Sequence, residues 1–170
     1  MEKYGLVAEN MESTIVAKYD SERAKESKYQ SEAELENAFI KQLQAQAYEY
    51  LPIHTEQDLI NNLRKQLEKL NNYQFEDKEW DTFFKKNIAN AADTIADKTF
   101  TIQEDYVKLL QLKDGSTKNI YLLDKKNIHN NTLQVINQYV ADGGSQDNRY
   151  DVSVLVNGLP LVHIELKRRG

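Results

Sequence analysis

Asn157-Gly158, set between apolar-rich runs at 150–156 and 161–167, is the feature that constrains this chain most. Both residue types tolerate the left-handed backbone that a two-residue turn requires, so the dipeptide predicts a β-hairpin. In the first run Val152, Val154 and Val156 share one face and Asp151 takes the other. In the second, Val162, Ile164 and Leu166 share one face, and Leu161, His163, Glu165 and Lys167 share the opposite one. A strict two-residue turn sets Asp151 opposite Ile164, with Glu165 facing away. The two carboxylates converge only if one residue is added to the pairing. A three-residue loop or a β-bulge within 155–160 is therefore expected, and Pro160, which has no N–H for a ladder, suits such a place.

Upstream, the chain changes character. Only Gly5 precedes residue 115, whereas Gly115, Gly143, Gly144, Gly158 and Gly170 lie at or beyond it. Long glycine-free stretches suit helices, and clustered turn residues suit strands. Residues 1–28 are polar with scattered apolar positions and read as a loosely held arm. Ser31 and Glu34 form a capping box that opens a first helix carrying Leu35, Ala38, Phe39 and Leu43, with Pro52 as its stop. Leu59, Ile60, Leu63, Leu67 and Leu70 give a second helix, ended by Asn71-Asn72. Trp80, Phe83, Phe84 and Ile88 give a third, with Asp77 as its N-cap. Asp114-Gly115, between apolar runs at 105–112 and 118–123, predicts another hairpin. Asn131 is read as the cap of a short helix carrying Leu133, Val135, Ile136 and Tyr139, ended by Gly143-Gly144. The sum is an α/β domain with a mixed sheet.

Composition removes several classes. With 170 residues, 40% hydrophobic and 29% charged, the chain can bury a core. It has no Cys, which excludes a disulfide scaffold, a zinc finger and a thiol nucleophile. A net charge of −5 is unlike that of a free-standing, non-specific DNA binder. No run approaches the length of a membrane span, and a soluble, cytoplasmic location is the expectation.

An Asp, a hairpin and then Glu165-Leu166-Lys167 make a plausible metal-dependent phosphodiesterase site. Two carboxylates supply hard oxygen ligands for Mg²⁺, which keeps several waters. The metal lowers the pKa of a bound water and offsets phosphate charge, and a neighbouring Lys can orient that water or stabilise the developing charge. Each residue also has a plainer reading. Asp151 can serve as a strand-entry residue making a turn hydrogen bond. Glu165 and Lys167 can be an exposed strand face, His163 a structural histidine, and Lys167-Arg168-Arg169 a solvated charge run. His54 and His129 fall in loops and receive no role.

The run resembles the PD-(D/E)xK nuclease motif, with Tyr150-Asp151 standing where the motif has Pro-Asp and Glu165-Leu166-Lys167 as its second half. Its context, in segments 29–36, 119–127 and 149–170, is similar to the N-terminal nuclease domain of the restriction (R) subunit of type I restriction–modification enzymes. That resemblance implies a restriction-endonuclease-like mixed sheet flanked by helices, a helical insertion at about 55–100, and a nuclease domain over 29–170. It implies catalytic Asp151, Glu165 and Lys167, with Mg²⁺ on Asp151 and Glu165 and the Leu166 carbonyl as a further oxygen. The family often adds a carboxylate from its first helix. Glu32 and Glu36 are the candidates, and Glu36 is preferred because it lies on the flank beside Phe39 and Ile40. The resemblance also implies double-stranded DNA as substrate, and methyltransferase (M) and specificity (S) subunits as partners. In the full subunit it implies ATP-driven translocation. The family's helicase-like motor has no counterpart in these residues, which contain no Gly-x-x-x-x-Gly-Lys-Ser/Thr loop. The C-terminal part of the nuclease fold, past Gly170, is expected to be missing. The rival expectations are a nuclease of DNA repair or recombination, and a non-catalytic docking module on the same fold.

Overall fold

The computed structural model describes residues 4–9, 15–19, 31–141 and 148–167. At the start, β1 (Tyr4–Glu9) and β2 (Ile15–Tyr19) pair antiparallel, so strand pairing occurs inside the segment read as a loose arm. The first helix, α1 (Glu32–Ala45), begins on the expected capping box, with the Ser31 side chain accepting from the Glu34 N–H and the Glu34 carboxylate accepting from the Ser31 N–H. It ends well before Pro52. Ala47 adopts a left-handed φ of 66°, and the Tyr48 N–H returns to the Leu43 carbonyl. That turn frees β3 (Glu49–Tyr50) to pair parallel with β6 (Leu133–Ala141).

Residues 55–122 form a lobe of three helices and a hairpin around one core. In it, α2 (Glu56–Asn71) runs from a Thr55 cap to a left-handed Asn72. Next, α3 (Asp77–Asn87) is capped one residue earlier than expected, because the Glu76 N–H bonds the Glu79 carboxylate. A further helix, α4 (Ile95–Gln103), opens on a Thr94–Asp97 capping box that the sequence reading did not single out. The hairpin β4 (Val107–Gln111) and β5 (Thr117–Tyr121) surrounds Asp114-Gly115 as expected. Leu63, Leu67, Phe75, Trp80, Phe83, Leu110, Ile120 and Leu122 are buried together. The rings pack edge to face or stacked, with Phe75–Trp80 centroids 5.3 Å apart and Trp80–Phe84 5.6 Å apart. Trp80 and Phe83 are thus core, with Phe84 packed against them.

The main sheet has the order β3–β6–β7–β8, with β7 (Asn148–Val156) and β8 (Leu159–Ile164) antiparallel. One expectation fails here. The helix placed at Leu133, Val135, Ile136 and Tyr139 is the strand β6. Its apolar spacing mimics a helix because the strand is buried on both faces and because Gln138 interrupts its alternation. Val135 packs with Ile40, Leu43 and Val152 under α1, while Ile136 packs with Ile53 and Leu155 on the other face. Asn131 caps no α-helix; its side chain instead holds the loop after β5, bonding Asp124 and the Ile128 carbonyl.

The final hairpin has the expected irregular register. Asn157 (φ 50°) and Gly158 (φ 82°) make the tight turn, and Val156 pairs Leu159 while Leu155 pairs Pro160. The register then shifts, so that Val154 pairs Val162 and Val152 pairs Ile164. Leu161 is the extra residue of the bulge, one position past the expected 155–160. Gly158 lies against α2. A Cβ there would fall 2.6 Å from the Leu63 Cα, so only glycine fits this approach.

Candidate active site

Three elements meet at one end of the sheet. On α1, Glu36, Ile40 and Leu43 are buried in a line set by the i, i+4, i+7 spacing. Ile40 and Leu43 pack on the sheet, which draws Glu36 down against it as well. A buried carboxylate needs partners, and β6 supplies two. Asn137 Nδ2 donates to Glu36 Oε1 at 2.6 Å, and Gln138 Nε2 donates to Oε2. The Tyr50 hydroxyl donates to Asn137 Oδ1 at 2.9 Å, which fixes the Asn137 amide with its nitrogen toward Glu36.

Gln138 is left-handed, with φ 54°, in the middle of a strand. The ladder pairs Asn137 with Val152 and Tyr139 with Tyr150, leaving out Gln138 and Asp151 between them. Both strands change faces at this step. Asn137 and Gln138 both reach Glu36, while Ile136 and Tyr139 both pack on the opposite side. On β7, Val152 packs under α1, and Asp151 also turns to α1. Tyr150 instead stacks on His163, with ring centroids 4.0 Å apart. The result is a cleft of about 390 Å³ lined by Glu32, Ala33, Glu36, Gln138 and Asp151.

The bulge at Leu161 brings the end of the last strand level with Asp151. The Leu166 N–H donates to Asp151 Oδ2 at 2.7 Å, while the Leu166 side chain packs in the α1 cluster. Glu165 and Lys167 flank it, exposed, with Nζ and Oε2 3.6 Å apart. An ion pair in that much solvent contributes little to stability, so neither side chain is held there by folding energy. Thus Asp151 is joined to the Glu165-Leu166-Lys167 segment through backbone, and to Glu36 through the cleft. Glu36 and Glu32, the two candidates of the first helix, both line the cleft. His163 bonds Ser153 Oγ at 2.8 Å through Nδ1, and burial pushes its pKa below the ordinary value. With Tyr150 stacked on it, the plainer structural role suits it. Arg168 and Arg169 lie outside the described residues.

The donor chemistry suits a hard divalent cation, being carboxylate and carbonyl oxygen with no thiol. Among the described residues no group of three His, Asp or Glu side chains is gathered closely enough to hold a metal. The fit rests on the oxygens of Asp151 and Glu36 lining one cleft, with Glu165 a residue away from Asp151's backbone partner. Asn137 and Gln138 escaped the sequence reading. Two consecutive amides inside an apolar run give no signal in one sequence, and the only trace is the irregular apolar spacing that made β6 read as a helix.

Fold and site together define a restriction-endonuclease-like α/β domain, a mixed sheet covered by helices with acidic groups at one sheet end. Residues 29–170 match the family described as type I restriction enzyme R protein N terminus, and the chain belongs to that family. It is 44% identical over 165 residues to the type I restriction enzyme EcoprrI endonuclease subunit of Escherichia coli, covering 96% of this chain and 52% of that protein. It is 37% identical over 153 residues to the SsaAORF53P endonuclease subunit of Staphylococcus saprophyticus, covering 84% of this chain and 15% of that one. The SauCOLORF180P endonuclease subunit of Staphylococcus aureus matches at the same identity and coverage. The chain therefore spans about half of the first relative and a small share of the others. Among the described residues, no helix is long and apolar enough to cross a membrane.

Proposed function

We propose that this chain is the Mg²⁺-dependent DNA endonuclease domain of a type I restriction enzyme's restriction subunit. The observation that carries the reading is the Asp151 carboxylate bonded to the Leu166 amide at 2.7 Å, across a bulged hairpin, in a chain of this family. That bond supports a reading in which the two halves of the PD-(D/E)xK motif act at one place. Asp151 and Glu165, with the Leu166 carbonyl, are the residues that would hold the metal, and Glu36 is the carboxylate of α1 aimed at the same cleft. Bound there, Mg²⁺ supplies charge against the phosphate and acidifies a water. Lys167 carries a solvent-facing ammonium that orients the attacking water and offsets negative charge as the phosphodiester opens. The Leu166 amide holds the Asp151 carboxylate in place.

In this reading the substrate is double-stranded DNA and cutting is independent of sequence at the site. Methyltransferase and specificity subunits supply recognition, and ATP-driven translocation by the rest of the subunit delivers the DNA. A net charge of −5 accords with delivery rather than capture. The test is Asp151→Ala in the full-length subunit, assembled with its partners. Cutting is expected to vanish while ATP-driven translocation persists. Loss of both activities together would assign Asp151 a structural role instead.

A further inference from the structure

The Asn137–Gln138 step is built unlike the rest of β6, and its form answers a geometric need of the site. A regular strand would send Asn137 and Gln138 to opposite faces, and likewise Asp151 and Val152. Only one amide would then reach Glu36, and Asp151 would face away from α1. A left-handed backbone at a non-glycine residue is unfavourable and persists where its surroundings enforce it. Here the surroundings include the Glu36 carboxylate, which Gln138 bonds, and the cleft that Gln138 lines with Asp151.

We propose that left-handed Gln138, together with Asn137, is the positioning element of this site: it turns Asp151 into the cleft and fixes the Glu36 carboxylate by both oxygens, with the Tyr50 hydroxyl setting the Asn137 amide. This rests on the nuclease reading given above. None of the three residues touches substrate in this role; each acts through Glu36 or Asp151. Glu36 Oε1 accepts from Asn137 and Oε2 from Gln138, so the carboxylate has a single orientation. Asn137 Oδ1 accepts from Tyr50 on β3, so the amide cannot flip without losing a bond at both ends. The parallel β3–β6 pairing, Tyr50 beside Val135, holds the strand that carries that hydroxyl.

The experiment uses the full-length subunit and reads Mn²⁺ binding by calorimetry, counting only the binding that Asp151→Ala removes. Gln138→Gly keeps the left-handed backbone and deletes the amide. It is expected to weaken that binding by about 10- to 100-fold, the usual loss when a residue supporting a metal ligand is removed. The metal concentration for half-maximal cutting should rise in step, with ATP-driven translocation unchanged. Gln138→Val, whose branched side chain resists a positive φ, should weaken binding further than Gln138→Gly. Tyr50→Phe, which removes one hydroxyl, should weaken it in the same direction by less. Wild-type Mn²⁺ affinity in Gln138→Gly and Tyr50→Phe would overturn the positioning role while leaving the nuclease reading standing. If Asp151→Ala itself removes neither binding nor cutting, the nuclease reading falls and the positioning role falls with it.

Discussion

In the helical lobe Phe75, Trp80 and Phe83 lie ring against ring; at the open end of the sheet Glu36, Asn137, Gln138 and Asp151 lie carboxylate against amide. The lobe is the more regular of the two. Its helices α2 and α4 open on side-chain caps, the buried apolar residues of α2 and α3 face its core, and its strands pair in unbroken register. The sheet end breaks alternation twice, at Gln138 and at Leu161, and leaves Glu165 and Lys167 in solvent. Burial of apolar surface holds a fold together, whereas aimed polar groups hold a geometry. The difference teaches that stability and site precision are kept in separate parts of a small domain, so damage to one should spare the other.

That separation can be broken in graded steps. Phe83→Ala empties a fully enclosed position and should destabilise the fold by about 3–5 kcal/mol in denaturant unfolding. The protein that remains folded should cut as before. Lys167→Ala should do the reverse. The side chain is 78% exposed, so the unfolding midpoint should hold within about 0.5 kcal/mol while single-turnover cutting falls about 10²–10³-fold. A matching loss of stability would show that the two functions are not separate.

Two glycines sharpen the comparison further. Gly158 and Gly115 have the same φ of 82°, but a Cβ at Gly158 meets the Leu63 backbone and one at Gly115 meets nothing within 4 Å. Gly115→Ala should cost only the backbone penalty, about 1–2 kcal/mol. Gly158→Ala should cost distinctly more, and the difference between the two measures the contact of hairpin and lobe. The smallest effect is at Asp124, whose carboxylate is held below its usual pKa by the Asn127 N–H, the Asn130 amide and the Lys126 N–H. A pKa lowered by folding gives stability that is present above the unfolded value and is lost as pH falls through the folded one. Wild type should therefore lose stability below pH 3.8 in a way that Asp124→Asn does not, as read from unfolding midpoints across that range.

Much of the fold was legible because its signals are local. Ser31 with Glu34, Asn157-Gly158 and Asp114-Gly115 act within a few residues, and each forms what its chemistry demands. An added residue in the last hairpin was legible too, although it falls at Leu161, just past the expected 155–160, and Glu165 does not line the cleft with Asp151. Strand β6 was not. Its apolar residues at 133, 135, 136 and 139 fit a helical stripe, and only the sheet around it decides otherwise. Nor was the face change at Asp151 legible, because it depends on a left-handed residue in another strand. At the candidate site, the sequence named Asp151 and Glu36 but not the amides between them.

Asn157 joins what the comparison has divided. Its side chain, 1% exposed, accepts from the Thr132 N–H and donates to the Leu122 carbonyl and to Asn131. Its own N–H bonds the Thr132 carbonyl. One turn residue thereby stitches the end of β5, the loop leading into β6 and the last hairpin into a common seam. Opening the lobe must tear that seam, and so must peeling away the hairpin. The two regions, different in what they hold, should therefore melt as a single cooperative unit, with their slowest amide protons exchanging together.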